Sequence, residues 1–318
     1  MMLYRRRLPI ALATATAGSA LLLSACGGSS SAEAGDGRLN VVASFYPLRY
    51  LAEQIGGDHL KVTDLTAAGV EPHDLELTAR QVGAVQDADA VLYLKGLQPT
   101  VDKAVAQSRS RHVVDATVAA PLVDHHLDEG AEGDHDHDGH SHPDAAGDPH
   151  LWLDPTRYAA VAAGVGAELA AADPAHAADY RQNADALVEK LGGLDREFHN
   201  GLTSCGGKAF VTSHAAFGYL ADRYGLEQIA INGVDPESEP TPARLGEIQQ
   251  AAKAHGVSTV FFETLASPKL ATTVAKDLNL KTAVLDPIEG VREPAANDYF
   301  SIMRQNLTAL QTALGCSK

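Results

Sequence analysis

The strongest constraint on the fold is an alternation of short apolar runs with short helical patterns, which the chain makes twice. Residues 39–45 (LNVVASF) read as a buried strand, 48–55 as a helix stopped by Gly56 and Gly57, and 59–65 as a second strand. Thr78 caps a helix through Val85, 90–94 is a third strand, 100–106 a helix and 112–115 a short fourth strand. The pattern resumes with strands at 208–212, 227–232, 259–263 and 281–285 and helices at 215–224, 242–255, 268–278 and 295–314. Such alternation implies an α/β protein whose parallel sheets are covered on both faces, built as two copies of one architecture. Between the copies lie an Ala-rich helix at 156–172 and a longer helix starting at Pro174. The latter carries Tyr180, Leu187, Leu191, Leu194, Phe198 and Leu202 at helical spacing and is long enough to run from one half to the other.

Two segments break the alternation. The N-terminus has Arg5, Arg6 and Arg7, then a moderately apolar run to Ala25, then Cys26, which is the order of a secretory signal peptide. Residues 26–37 read as a flexible tether of Gly, Ser and Ala. Residues 124–148 hold six His, nine acids, no Lys or Arg and no apolar residue larger than Leu127. Such a stretch cannot bury enough apolar surface to order itself, and its histidines suit a mobile, low-affinity metal-collecting loop. The organisation expected is therefore a signal peptide at 1–25, a tether at 26–37 and a first lobe at 38–172 carrying the 124–148 loop. A linking helix at 173–203 and a second lobe at 204–318 complete it.

The whole chain has 25 basic and 41 acidic residues. Without the signal peptide the balance is 22 against 41, a net charge of −19. That charge disfavours nucleic acid and anionic lipid as partners and suits a body that attracts cations. After Cys26 only Cys205 and Cys316 remain, readable as one disulfide in an oxidising compartment or as two buried thiols.

Metal-ligand candidates lie at the ends of the expected strands and next to the only Trp. His150 stands in Asp148-Pro149-His150-Leu151-Trp152-Leu153-Asp154-Pro155, with two Pro restricting the residues before them and apolar neighbours able to hold the ring still. His73 follows a strand through a loop, His214 follows one directly and Asp286 ends one. In open α/β sheets the carboxyl ends of strands form the binding crevice. Two candidates come from each half, and three imidazoles with one carboxylate make a four-coordinate site suited to zinc. Glu263, also at a strand end, competes with Asp286 for the fourth place. His59, His112, His176, His199 and His255 sit in ordinary element contexts.

The segments Glu71-Pro72-His73-Asp74, Gly96-Leu97-Gln98-Pro99, Asp148 through Pro155, Thr212 through Tyr219 (TSHAAFGY) and Leu285-Asp286-Pro287 resemble, in order, the motifs of one family. It is the metal-binding lipoproteins of ABC transporters, the zinc and manganese uptake group (ZnuA/TroA-like), and the resemblance spans essentially the whole mature chain. It implies two α/β lobes joined by one long rigid helix, with the metal in the interlobe cleft held by His73, His150, His214 and Asp286. The His-rich insertion resembles the zinc-specific branch, and His214 stands where manganese members have Glu. In some zinc members water or another acid replaces the last carboxylate.

The resemblance further implies Zn2+ as the transported ligand, a membrane ABC permease as partner, and a monomer tethered to the outer face of the membrane through a lipidated Cys26. The lipobox-like Leu23-Ser24-Ala25-Cys26 agrees with that tether. The rival readings are a manganese or iron member of the family, a metal-binding surface adhesin, and a zinc hydrolase. Against the hydrolase, no His-Glu-x-x-His helix occurs, and four protein ligands leave no position for water.

Overall fold

A computed structural model describes residues 37–125, 147–294 and 296–317. The expected signal peptide, the expected tether up to residue 36 and positions 126–146 of the His-rich insertion lie outside the described residues.

The first half runs β1 (Leu39–Ala43), α1 (Tyr46–Gly56), β2 (Leu60–Asp64), α2 (Ala79–Asp87), β3 (Ala90–Tyr93), α3 (Pro99–Ala106), β4 (His112–Asp115) and the short α4 (Ala116–Ala119). Then come α5 (Pro155–Ala172) and the long α6 (Ala177–Leu202). The second half runs β5 (Ala209–Thr212), α7 (Gly218–Tyr224), β6 (Glu227–Ala230), α8 (Pro242–Ala254), β7 (Thr259–Phe262), α9 (Lys269–Leu278), β8 (Lys281–Val284) and α10 (Tyr299–Ala313). Both sheets are four-stranded and parallel, with orders β2-β1-β3-β4 and β6-β5-β7-β8. The duplicated alternation is thus two parallel sheets with the same strand order.

That order has a physical consequence. In each sheet the chain leaves the first strand toward one edge and returns on its other side, which opens a crevice beyond the carboxyl ends of β1 and β3, and of β5 and β7. Side chains alternate between faces as the strand period requires. Val41 and Ala43 of β1 face one continuous core, while Val42 joins a smaller cluster with Val85, Val91 and Val101. In β5, Phe210 faces the continuous core, and Ala209 and Val211 join a cluster with Ile248, Val260 and Val274. The continuous core takes residues from both sheets and from α1, α5, α6 and α10.

Helix α6 packs on α1 and α5 from the first half and on α10 from the second. Its approach to α5 is close: a Cβ on Gly166 would stand 2.5 Å from that of Ala184. The sequence places the start of this helix at Pro174, but residues 174–176 form a single 3-10 turn first. The 205–316 pair is a disulfide that ties the entry of β5 to the end of α10.

Candidate metal centre

The segment around Trp152 is a set of turns pinned by a series of hydrogen bonds. Asp148 Oδ1 accepts from the His150 backbone N–H at 2.9 Å, and Asp154 Oδ1 caps α5 by accepting from Thr156 N–H at 2.8 Å. Leu151–Leu153 form one 3-10 turn whose side chains are all buried. Trp152 packs edge-on to Phe45, 4.9 Å between centroids. Its indole N–H donates to the Pro287 carbonyl at 2.7 Å, and its own carbonyl accepts from Tyr299 Oη at 2.6 Å. Trp152 thus grips the loop after β8, which comes from the other half of the chain.

Three imidazoles and one carboxylate converge beside it. Glu289 Oε1 lies 2.9 Å from His150 Nε2, 3.2 Å from His73 Nε2 and 3.3 Å from His214 Nε2. One ligand atom from each of His73, His150, His214 and Glu289 lies within 4.8 Å of all the others. The ligand–ligand edge of a tetrahedron with metal bonds of about 2.0–2.1 Å is about 3.4 Å. The three separations from Glu289 Oε1 are close to that edge, and the residue set is the right one for a four-coordinate shell. Glu289 is fully buried, and its Oε2 has no hydrogen-bond partner among the described residues. A buried carboxylate oxygen left open in this way is costly unless a cation meets it.

Carboxylates also stand behind two of the rings. His150 Nδ1 donates to Asp148 Oδ1 at 2.7 Å, and His214 Nδ1 donates to Glu263 Oε1 at 2.8 Å. Such carboxylate–imidazole pairs fix tautomer and ring orientation and raise ligand basicity. With an acid on both nitrogens, each ring gains by holding two protons. Burial disfavours the charge, but Asp148 and Glu289 outweigh it and hold His150 above its ordinary value. Glu263 and Glu289 do the same, more strongly, for His214. The converse holds for Glu289: burial pushes it up, yet contact with His150, His214 and His73 keeps it well below the carboxylate range. Nearby Glu71, which accepts from the His73 backbone N–H, is pushed up to about 8 by burial and by the charge of Glu289.

The loops aim these side chains. The chain after β5 does not enter a helix at 215, as the sequence suggests. Residues 213–217 peel away: the His214 carbonyl accepts from Thr212 Oγ1 at 2.7 Å, and Ala215 N–H donates to the Gly233 carbonyl at 3.0 Å. His73 hangs on an irregular loop held by Gln98, whose side-chain amide donates to Thr66 Oγ1 and to the Pro72 carbonyl.

The expectation that Asp286 joins the three imidazoles is not met by this geometry. Asp286 Oδ1 accepts from Ile288 N–H at 2.8 Å and Oδ2 from Thr264 Oγ1 at 2.8 Å, so both oxygens are engaged in a turn. The carboxylate that stands in the cluster is Glu289, three residues later. Glu263, the competitor, stands one layer back, on His214 Nδ1. Nothing in the local pattern Pro287-Ile288-Glu289-Gly290 marks an acid that will be buried; the only hint is its place just past a strand end.

The first histidine of the His-rich stretch, His125, is docked rather than loose. Its ring meets Asp148 Oδ2 at 2.7 Å and lies edge-on to Tyr219. Asp148 N–H donates to the Val123 carbonyl at 2.9 Å, closing the base of the insertion.

Comparison with known proteins identifies relatives of the chain. A family model described as zinc-uptake complex component A, periplasmic (ZnuA) matches residues 41–313. The zinc-binding lipoprotein AdcA of Streptococcus pneumoniae serotype 4 is 38% identical over 298 residues, covering 92% of this chain and 58% of AdcA. The chain therefore spans little more than half the length of that relative. The high-affinity zinc uptake system protein ZnuA of Bacillus subtilis is 36% identical over 309 residues, 92% of this chain and 94% of its own length. Among solved structures, the Zn(II)-bound ZnuA-like domain of pneumococcal AdcA matches with a TM-score of 0.71 at 35% identity, covering 87% of this chain and 99% of that one. The laminin-binding protein Lmb of Streptococcus agalactiae, described as having adhesin and metal-transporting activity, matches with a TM-score of 0.75 at 31% identity over 87% of this chain and 99% of its own.

Proposed function

This chain belongs to the ZnuA family, and we propose that it is the extracytoplasmic component of an ABC-type importer that captures Zn2+ and passes it to a membrane permease. His73, His150, His214 and Glu289 are the proposed ligands. The observation that carries the reading is the convergence of three Nε2 atoms, those of His150 and His214 buried and that of His73 partly buried, on one carboxylate oxygen whose partner oxygen is open. Nitrogen-rich, four-coordinate sites favour zinc; Mn2+ prefers six ligands and more oxygen. The protein does no chemistry on the ion. Four protein ligands close the shell, and the two acids nearest the imidazoles, Asp148 and Glu263, are bound to Nδ1 atoms rather than facing a place for water. It acts as a monomer held to the outer face of the membrane by a lipidated Cys26. Among the described residues no helix is long and apolar enough to cross a membrane.

A competition titration at matched pH tests the metal choice. The wild-type protein should prefer Zn2+ to Mn2+, and His214→Glu should narrow the gap by weakening zinc more than manganese. A preference for Mn2+, or a ratio untouched by His214→Glu, would overturn the zinc reading.

A further inference from the structure

Ile288 is a β-branched residue with φ +60°, and it sits directly before Glu289. Left-handed backbone at such a residue is an outlier that persists only where the surroundings over-determine it. Here they do. Asp286 Oδ1 accepts from Ile288 N–H, and Asp286 Oδ2 accepts from Thr264 Oγ1. Asn306, buried on α10, holds the Asp286 backbone at both atoms: its Oδ1 accepts from Asp286 N–H at 2.9 Å and its Nδ2 donates to the Asp286 carbonyl at 2.7 Å. Trp152 takes the Pro287 carbonyl. Every polar group of the turn before Ile288 is thereby engaged.

Resting on the reading that Glu289 is the carboxylate ligand, we infer that Asp286 is a positioning residue. With Thr264 and Asn306 it locks the 286–288 turn, and the locked turn forces the backbone at Ile288 that delivers Glu289 to the three imidazoles. Thr264 follows Glu263, which orients His214, so one dipeptide braces both a ring and the carboxylate arm.

The test compares Asp286→Ala, Asp286→Asn, Thr264→Val and Glu289→Gln in the full chain. Zinc affinity is read by chelator competition, and site geometry by the visible absorption of the Co2+-loaded protein. Asp286→Ala should weaken zinc by about tenfold to a hundredfold, the usual cost of losing a partner that orients a ligand. It should also move the Co2+ spectrum in the same direction as Glu289→Gln. Asp286→Asn should stay near the parent in both readouts, because an amide can still accept from Ile288 and donate to Thr264. Thr264→Val should show a smaller loss of the same kind.

Unchanged affinity and spectrum in Asp286→Ala, with Glu289→Gln strongly impaired, would overturn this inference and leave the ligand set standing. If Asp286→Asn is as damaging as Asp286→Ala while Glu289→Gln is nearly silent, Asp286 is itself the ligand and both readings fall. Should Asp286→Ala not fold, parent-like affinity and spectrum in Thr264→Val would overturn the inference.

Discussion

His150 and His214 are held at both ring nitrogens, whereas His73 is held at one. The first two have an acid on Nδ1, side chains 0% and 1% exposed, and positions tied directly to an ordered turn or a strand end. His73 rides an irregular loop and is 10% exposed, and no described residue offers an acceptor to its Nδ1. The contrast separates two jobs that a capture site must do. Two rings and Glu289 form a pre-organised cup, which keeps the ordering cost of binding small. The third ring borders the solvent, and as a proposed ligand it is the one placed where an ion would enter or leave.

The largest effects should come from breaking the cup. His150→Ala or His214→Ala should weaken zinc by more than the ~10–100-fold typical of orienting residues, and His73→Ala should also be severe because it removes a donor. Competition calorimetry that finds tight binding intact in both His73→Ala and His214→Ala would break the comparison and the site together.

Next come the acids behind the rings. Asp148→Asn and Glu263→Gln keep the shape of the side chain but remove the charge on Nδ1, and each should weaken zinc by about tenfold to a hundredfold. Glu71→Gln, on the backbone side of His73, should cost less than either. Equal losses for all three would mean that His73 is as firmly oriented as its two partners.

The smallest effect is a pH dependence with a defined sign. In the metal-free protein His150 and His214 keep their second proton above the ordinary value of 6.5. Zinc must displace the Nε2 proton and leave the Nδ1 proton on its acid. Affinity should therefore rise with pH from about 6.5 upward and level off once the raised values are passed. Calorimetry in buffers of different ionisation enthalpy should detect proton release at neutral pH, and a flat profile from pH 6 to 8 would contradict the paired-acid picture.

How much of this was legible in the sequence depends on what each feature rests on. Strands such as His112–Asp115 follow from local apolar pattern and were readable. The three imidazoles that the structure brings together were singled out by their places, after predicted strands or between two Asp-Pro steps beside the only Trp. Glu289 was not, because its burial depends on an Asp turn followed by left-handed backbone at Ile288, a conformation the residue type argues against. Ala215–Phe217 looked helical by composition, yet hydrogen bonds from Thr212 and Gln228 to the His214 carbonyl hold that stretch as a loop. Asp148 was visible as an acid two residues before His150 and Glu263 as an acid at a strand end competing for the fourth place, but their position on the far ring nitrogen is a property of the folded loops alone.

The most direct test is an anomalous difference map at the zinc edge from crystals of protein loaded with one equivalent of zinc. The account expects a single strong peak about 2.0–2.2 Å from the Nε2 atoms of His73, His150 and His214 and from a Glu289 oxygen, with Asp286 still turned to Thr264 and Ile288. A peak bonded to Asp286 in place of Glu289, or a tight site elsewhere in the chain, would contradict it.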